Sequence, residues 1–371
     1  MSDALIAPTY AEIARLHRHF RLLNGSPEAL EFLLSPSITG SALQTWLQTP
    51  ANLAAFQAIA NSPVVQDLIN HRPFMEAVAS VDAAAAICLN SPYHKLFNSA
   101  IARPTIGLMM VSPGGGAGTW TRIDAGFNAI ANPGAAYFNS HLTYAGIVTQ
   151  IIDGQHMVRI PKFWFRAGAV PSGPNAGKPY WQISSKPQSG FSVHPAFVGP
   201  GGVVYDQIWV AKYKAGFDDS KAASVPGVAP MVNMNFPTAR SRAYARNTGG
   251  VTGFRLWSYY DLAAIQMLAT IELGGLDMQS LIGQGRVSAS GAANVDAPDV
   301  AQASWRGLVG LWGNVWQQVD GIKRNGGNWW LWSVNAPGNT TTNDFSTGYT
   351  NTGQSAPTNT GYPATLNTTL L

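Results

Sequence analysis

The sequence predicts an α+β chain, with a module of short helices first and a domain of short strands with few helices after it. Three observations carry this. Ser26-Pro27, Ser35-Pro36, Thr49-Pro50, Ser62-Pro63 and Ser91-Pro92 punctuate the first hundred residues, with Ala, Leu and Ile behind them. From His156 onward, short segments rich in β-branched and aromatic residues take over. One well-patterned helical stretch, Tyr259 to Leu273, stands among those segments.

Ser or Thr followed by Pro is a helix start. The hydroxyl caps an orphan N–H, and Pro at the first helical position has none to satisfy. Helices of about 8–12 residues are marginal alone and must pack on each other or on a partner. Residues 1–100 are therefore expected to form a helical attachment module, with a small bundle that binds nothing as the plainer alternative. Residues 101–155 change character and read as a small β-rich connector. Ser112-Pro113 and the three glycines after it make a turn, and Trp120 to Asp124 reads as a strand. The glycines lack the Gly-Lys-Ser/Thr ending of a phosphate loop, and Gly283-Gln284-Gly285 lacks a third glycine.

Residues 156–371 form the strand-rich part. Met157 to Phe165 is one run of β-formers, with Pro161 marking an edge or bulge. Tyr180 to Ile183 and Ile208 to Tyr213 are further strands. The helix Tyr259 to Leu273 carries Leu262, Ile265, Leu268 and Ala269 on one side and stops at Gly274-Gly275.

Composition narrows the function. Charged residues are only 11% of the chain against about 25% in an ordinary domain. The net charge is +4, and the densest basic group, Arg240, Arg242, Arg246 and Arg255, is diluted along the chain. A phosphate-tracking surface needs closely placed cations, so nucleic acid is not an expected partner. Cys88 is the only cysteine and forms no intrachain disulfide. The first residues lack the apolar core of a signal peptide, and no apolar run approaches the roughly 20 residues of a membrane span. Folding in a cytoplasm, without membrane insertion, is expected.

Five of the twelve tryptophans fall between Trp312 and Trp332, interleaved with Gly and Asn. The runs HMVRIPKFWFRAG, GFSVHPAFV, YDQIWVAKYKAGF, ARSRAYARN, FRLWSYYDLAAIQMLA and GLWGNVWQQVDG resemble the C-type-lectin-like fold of the formylglycine-generating-enzyme type. The likeness extends to bacteriophage tail and tail-fibre proteins with that fold, including variable proteins of diversity-generating retroelements, and covers about residues 156–335. Gly313-Asn314-Val315-Trp316 matches the core signature, and Phe254-Arg255-Leu256 the step before the helix. Gly313, Asn314, Trp316 and Arg255 are thus fold-signature residues, and Trp312 and Trp316 are expected in the core.

The resemblance implies enzymes as well as binders. Formylglycine-generating members use a cysteine pair, and this domain has no cysteine. Only His156 and His194 fall within it, each alone, so no metal-ligand spacing remains. Glu272, Asp218, Asp219 and Asp320 make no carboxylate pair. No enzyme, no catalytic residue and no cofactor are expected; calcium stays open.

The segment from Asn335 to Leu371 holds eleven Thr and six Asn with one charge, too polar for a core of its own. It is either a disordered tail, an intersubunit arm or a display surface with paratope-like chemistry. On the last reading, receptor contacts come from Trp330, Trp332, Asn335, Asn339, Asn343, Phe345, Tyr349, Asn351 and Tyr362. The resemblance places variable positions near this end. It implies a homotrimeric virion tail appendage, attached to other phage tail proteins by its helices and binding a host-surface glycan or protein. The alternative is a purely structural tail or baseplate subunit.

Overall fold

The computed structural model describes residues 40–62, 78, 84, 87–88, 104–113, 117–130, 133–335 and 348–357. The chain is mixed helix and sheet, with several small antiparallel sheets. Its contacts divide it into two compact units, one of residues 1–104 with 134–142 and one of residues 105–133 with 143–371.

In the first unit, α1 (Gly40–Gln48) and α2 (Pro50–Ala60) are joined at Thr49. Thr49-Pro50 starts a helix, though the Thr49 side chain makes no cap bond. The other four Ser-Pro helix starts lie wholly or partly outside the described residues. Leu47, Phe56, Ile59, Phe138 on α3 (Ala135–Ser140) and Cys88 are buried. Burial pushes the Cys88 thiol far above its ordinary pKa, so Cys88 serves as a small hydrophobe.

The second unit holds the sheets. β1 (Thr105–Ser112), β2 (Thr119–Ile123), β5 (Trp164–Ala169), β6 (Pro179–Ser184) and β7 (Ser192–Val193) form one antiparallel sheet in the order β2-β1-β6-β5-β7. The 101–155 segment is therefore no separate connector, because β1 and β2 are integral to this sheet. After α4 (Leu142–Ala145), three further strands, β3 (Val148–Ile152), β4 (Gln155–Pro161) and β8 (Gln207–Ala211), pair in the order β3-β4-β8. The expected single strand Met157 to Phe165 is two strands in two sheets. The change comes after Lys162, whose N–H still donates to the Asp206 carbonyl at 2.8 Å, and Trp164 pairs in the other sheet. β9 (Gly216–Asp218) and β10 (Lys221–Ala223) make a hairpin, flanked by α5 (Phe236–Tyr244). β11 (Ile322–Asn325), β12 (Asn328–Trp332) and β13 (Tyr349–Ser355) form the last sheet.

The helix Tyr259–Leu273, α6, lies against β1 and β6. Ala264, Ile265, Met267, Leu268, Ala269 and Ile271 are buried, so more than one side is apolar and covered. Its ends explain its limits. Ser258 and Asp261 form a capping box. At the other end Gly274 sits at φ +80°, and the Arg122 guanidinium from β2 donates to the carbonyls of Ile271 and Glu272. A Cβ on Gly274 would stand 2.8 Å from that guanidinium.

His194 is buried with its ring 4.9 Å from Phe163 and 5.1 Å from Phe165, and its Nδ1 accepts from the Ala196 N–H. Burial pushes its pKa down to about 3 from an ordinary 6.5, against a smaller opposing pull from Asp261. Below pH 6.5 the unfolded chain takes the proton and the folded chain does not, so stability falls as pH drops toward 3. This histidine should remove about 2 kcal/mol between pH 6.5 and 5. Urea unfolding at both pH values tests it. His194→Asn, which keeps a cap acceptor for Ala196, should be less stable at pH 7 yet show a flatter loss toward pH 5. An unchanged slope would rule out the neutral histidine as its source.

Candidate functional site

A cavity of about 1060 Å³ opens in the second unit. One wall is the β4–β8 sheet, through Met157 and Trp209, and another is α5, through Ala239 and Ala243. The segment Val251 to Trp257 and the loop Asn314 to Gln318 complete it. Its lining is mainly apolar with a few polar groups, the usual character of a small-ligand site.

The Gly-Asn-Val-Trp loop forms part of the rim, and its shape follows from its residues. Gly313 and Asn314 both have positive φ, +72° and +62°. A Cβ at Gly313 would fall 2.7 Å from the Arg286 carbonyl oxygen, so only glycine fits. Asn tolerates the left-handed region better than most residues. The Asn314 side chain accepts from the Ala293 N–H at 2.8 Å and donates to the Ala293 carbonyl at 3.0 Å, as a strand neighbour would. From inside the cavity wall, Lys214 Nζ donates to the carbonyls of Gly313 (2.5 Å) and Val315 (3.0 Å). Burial pushes the Lys214 ammonium down to about 8.

The loop thus presents Trp316 to solvent. That side chain is 100% exposed and not in the core as the sequence suggested. The backbone of this tight turn is fixed by Gly313, Asn314 and Lys214, and the turn holds without burying the indole. Trp312 is half-buried, with its indole N–H on the Gln284 carbonyl at 3.0 Å. Periodicity could not reveal this, because a glycine-rich loop has no fixed period.

Arg255 holds Asp261 with two hydrogen bonds, 2.7 and 3.1 Å. Burial alone would raise the Asp261 carboxyl, but Arg255, the Ser258 amide and Asn335 outweigh it and hold it below its ordinary value. Asn335 is the fourth member of this network. It is 4% exposed, donates to the Ala196 carbonyl (2.7 Å) and to Asp261 (3.0 Å), and accepts from the Ser258 hydroxyl (2.7 Å). Its expected receptor role is corrected: every polar atom of its side chain is committed inside the chain. Trp332 is corrected likewise, being 4% exposed with its ring against Gly321.

Of the remaining expected contact residues, the structure brings Trp330, Tyr349 and Asn351 together. Trp330 pairs with Asn351 across β12 and β13, and Trp332 with Tyr349. Lys323 Nζ lies 5.4 Å from the Trp330 ring and 4.5 Å from that of Tyr349. Trp330 and Tyr349 are half-buried and Asn351 is exposed. Asn339, Asn343, Phe345 and Tyr362 lie outside the described residues.

Glu272, Asp320 and Asp218 are structural ties. Glu272 Oε1 and Oε2 each accept from Arg306 at 2.6 Å. Asp320 accepts from buried Arg240 and from the Gly321 N–H, and Asp218 pairs with Arg246. Among the described residues no group of three or more His, Cys, Asp or Glu is placed to hold a metal, and no helix is long and apolar enough to cross a membrane. No protein-family model matches the chain, and no curated protein matches it.

The two asparagines on the C-terminal strands and their approach give a direct contrast. Asn335→Ala should cost about 3 kcal/mol, because it strands buried partners at Arg255, Ser258, Asp261 and Ala196. Asn351→Ala should stay within about 0.5 kcal/mol of the parent. Thermal and urea unfolding of the two variants checks this; equal effects would contradict the buried network.

Proposed function

We propose that this chain is a non-enzymatic phage tail appendage whose second unit is a C-type-lectin-like receptor-binding domain. Its N-terminal helices attach it to other tail proteins, and the assembled form is a homotrimer in the virion. The observation that carries the binding reading is Trp316, a fully exposed indole on the rim of the cavity. A large aromatic held in water by a built loop is a typical anchor residue, since Trp dominates interface energetics when a partner covers it. The face bearing Trp330, Tyr349 and Asn351 supplies a second contact of the paratope kind.

The structural-subunit reading has its own support. Val203, Val204 and Tyr205 are consecutive exposed residues, and Ile151, 61% exposed, sits on the edge strand β3. Apolar patches and open strand edges are surfaces that assemblies cover.

Labelled full chain incubated with a panel of bacterial cell types, read by flow cytometry, tests the proposal. Saturable binding to at least one type is expected. Trp316→Ala should weaken it about 30-fold, the effect of losing roughly 2 kcal/mol at an anchor, with an unchanged melting temperature. A chain that binds no cell type saturably while keeping its far-UV circular dichroism would overturn the receptor reading in favour of the structural one.

A further inference from the structure

The cavity has an unbalanced charge. Lys212, Lys214, Arg246, Arg255 and Asp261 are the charged residues on its lining. Asp261 is consumed by Arg255, and Arg246 is matched by Asp153 and Asp218. Lys212 rests over the Tyr213 ring at 5.3 Å, and neither it nor Lys214 has a carboxylate partner among the described residues. Lys214 spends two of its three N–H donors on the carbonyls of Gly313 and Val315, and the third is left over. A partly buried cation without a counter-charge is costly, and an incoming anion relieves that cost. With its pKa about 8, Lys214 is still mainly charged at neutral pH.

A second feature stands on the same lining. Trp316 offers an uncovered indole face one residue beyond the carbonyl that Lys214 holds. A ligand that meets both brings an anion and an apolar face. The volume of about 1060 Å³ leaves room for more than one ring.

We infer that the cavity binds an acidic sugar residue of a surface glycan, with the carboxylate on Lys214 and the C–H face of the ring on Trp316. The inference rests on the receptor-binding reading and names its ligand. A neutral sugar would leave Lys214 without a counter-charge.

The full chain is titrated with glucuronate, galacturonate, N-acetylneuraminate and 3-deoxy-octulosonate, each as the free acid and as its methyl ester, and with benzoate. Calorimetry and tryptophan fluorescence are the readouts. At least one acid should bind saturably, at least tenfold tighter than its ester and than benzoate. Lys214→Gln should erase the difference between acid and ester, Lys214→Arg should keep it, and Trp316→Ala should abolish the fluorescence change and weaken binding at least tenfold. Because Trp316 is fully exposed, that variant reports on binding even if Lys214→Gln loosens the loop. Equal binding of acid and ester, tighter binding of benzoate, or indifference to Trp316→Ala overturns the inference. Saturable cell binding with no affinity for any of the acids overturns the inference and leaves the receptor reading standing. Acid binding without cell binding does the reverse.

Discussion

The buried carboxylate of Asp261 is the interaction on which the second unit depends. It sits in the first turn of α6 and closes the capping box with Ser258. It also receives Arg255 from the segment before the helix and Asn335 from the chain after β12. Three stretches distant in sequence therefore meet at one charge. Such a network is stable only when every partner is present, because a half-satisfied buried carboxylate costs more than an apolar core. The adjoining Ser258–Asp320 bridge carries the tie further. The Tyr259 N–H donates to the Asp320 carbonyl, the Asp320 N–H to that of Trp257, and the Asp320 side chain grips Arg240 on α5. One end of α6 thus sets the start of the last sheet and the placement of α5, and α5 is a wall of the cavity.

The rim loop solves a different problem. It must present an indole to water without collapsing onto it. Left-handed Gly313 and Asn314 turn the chain sharply, and the Asn314 amide replaces a missing strand partner. Lys214 then neutralises two carbonyl oxygens that the turn leaves aimed at the protein. With the Asn314 N–H on the Arg286 carbonyl and the Val315 N–H on that of Gly313, the loop keeps its shape without side-chain burial. That is why Trp316 can stand free, while Trp332, on a strand of the adjoining sheet, is covered.

Much of the fold was legible because local physics governs it. The limits of α6 were written in its apolar pattern and in Gly274, and the strands at Trp120, Tyr180 and Ile208 followed from β-branched and aromatic residues. Pro161 signalled an interruption, but not that the chain would leave one sheet for another, which long-range pairing decides. The site was less legible. The tryptophan block drew attention to the right region and then assigned its members wrongly, since exposure within a Gly/Asn turn depends on partners such as Arg286 and Ala293. Asn335 read as a display residue by composition, and its burial comes from groups at positions 196, 258 and 261. Nothing local marks Lys214; only the cavity does.

The charge pattern makes sense of the low charged fraction. Arg122 caps α6, Arg240 holds Asp320, Arg246 joins β10 to Asp218, Arg255 holds Asp261, and Arg306 grips Glu272 beside the Trp305 indole. Guanidinium suits this work, since its planar fork meets carbonyls and carboxylates at several points. These arginines are spent on ties within the second unit, four of them with carboxylates that the net charge of +4 already subtracts. Several lysines are placed differently. Lys162 meets the exposed Asp206 and Lys323 lies over two aromatic rings. Lys212 and Lys214 differ in facing a shared cavity whose one carboxylate is already taken. That local excess is where an anion gains by entering.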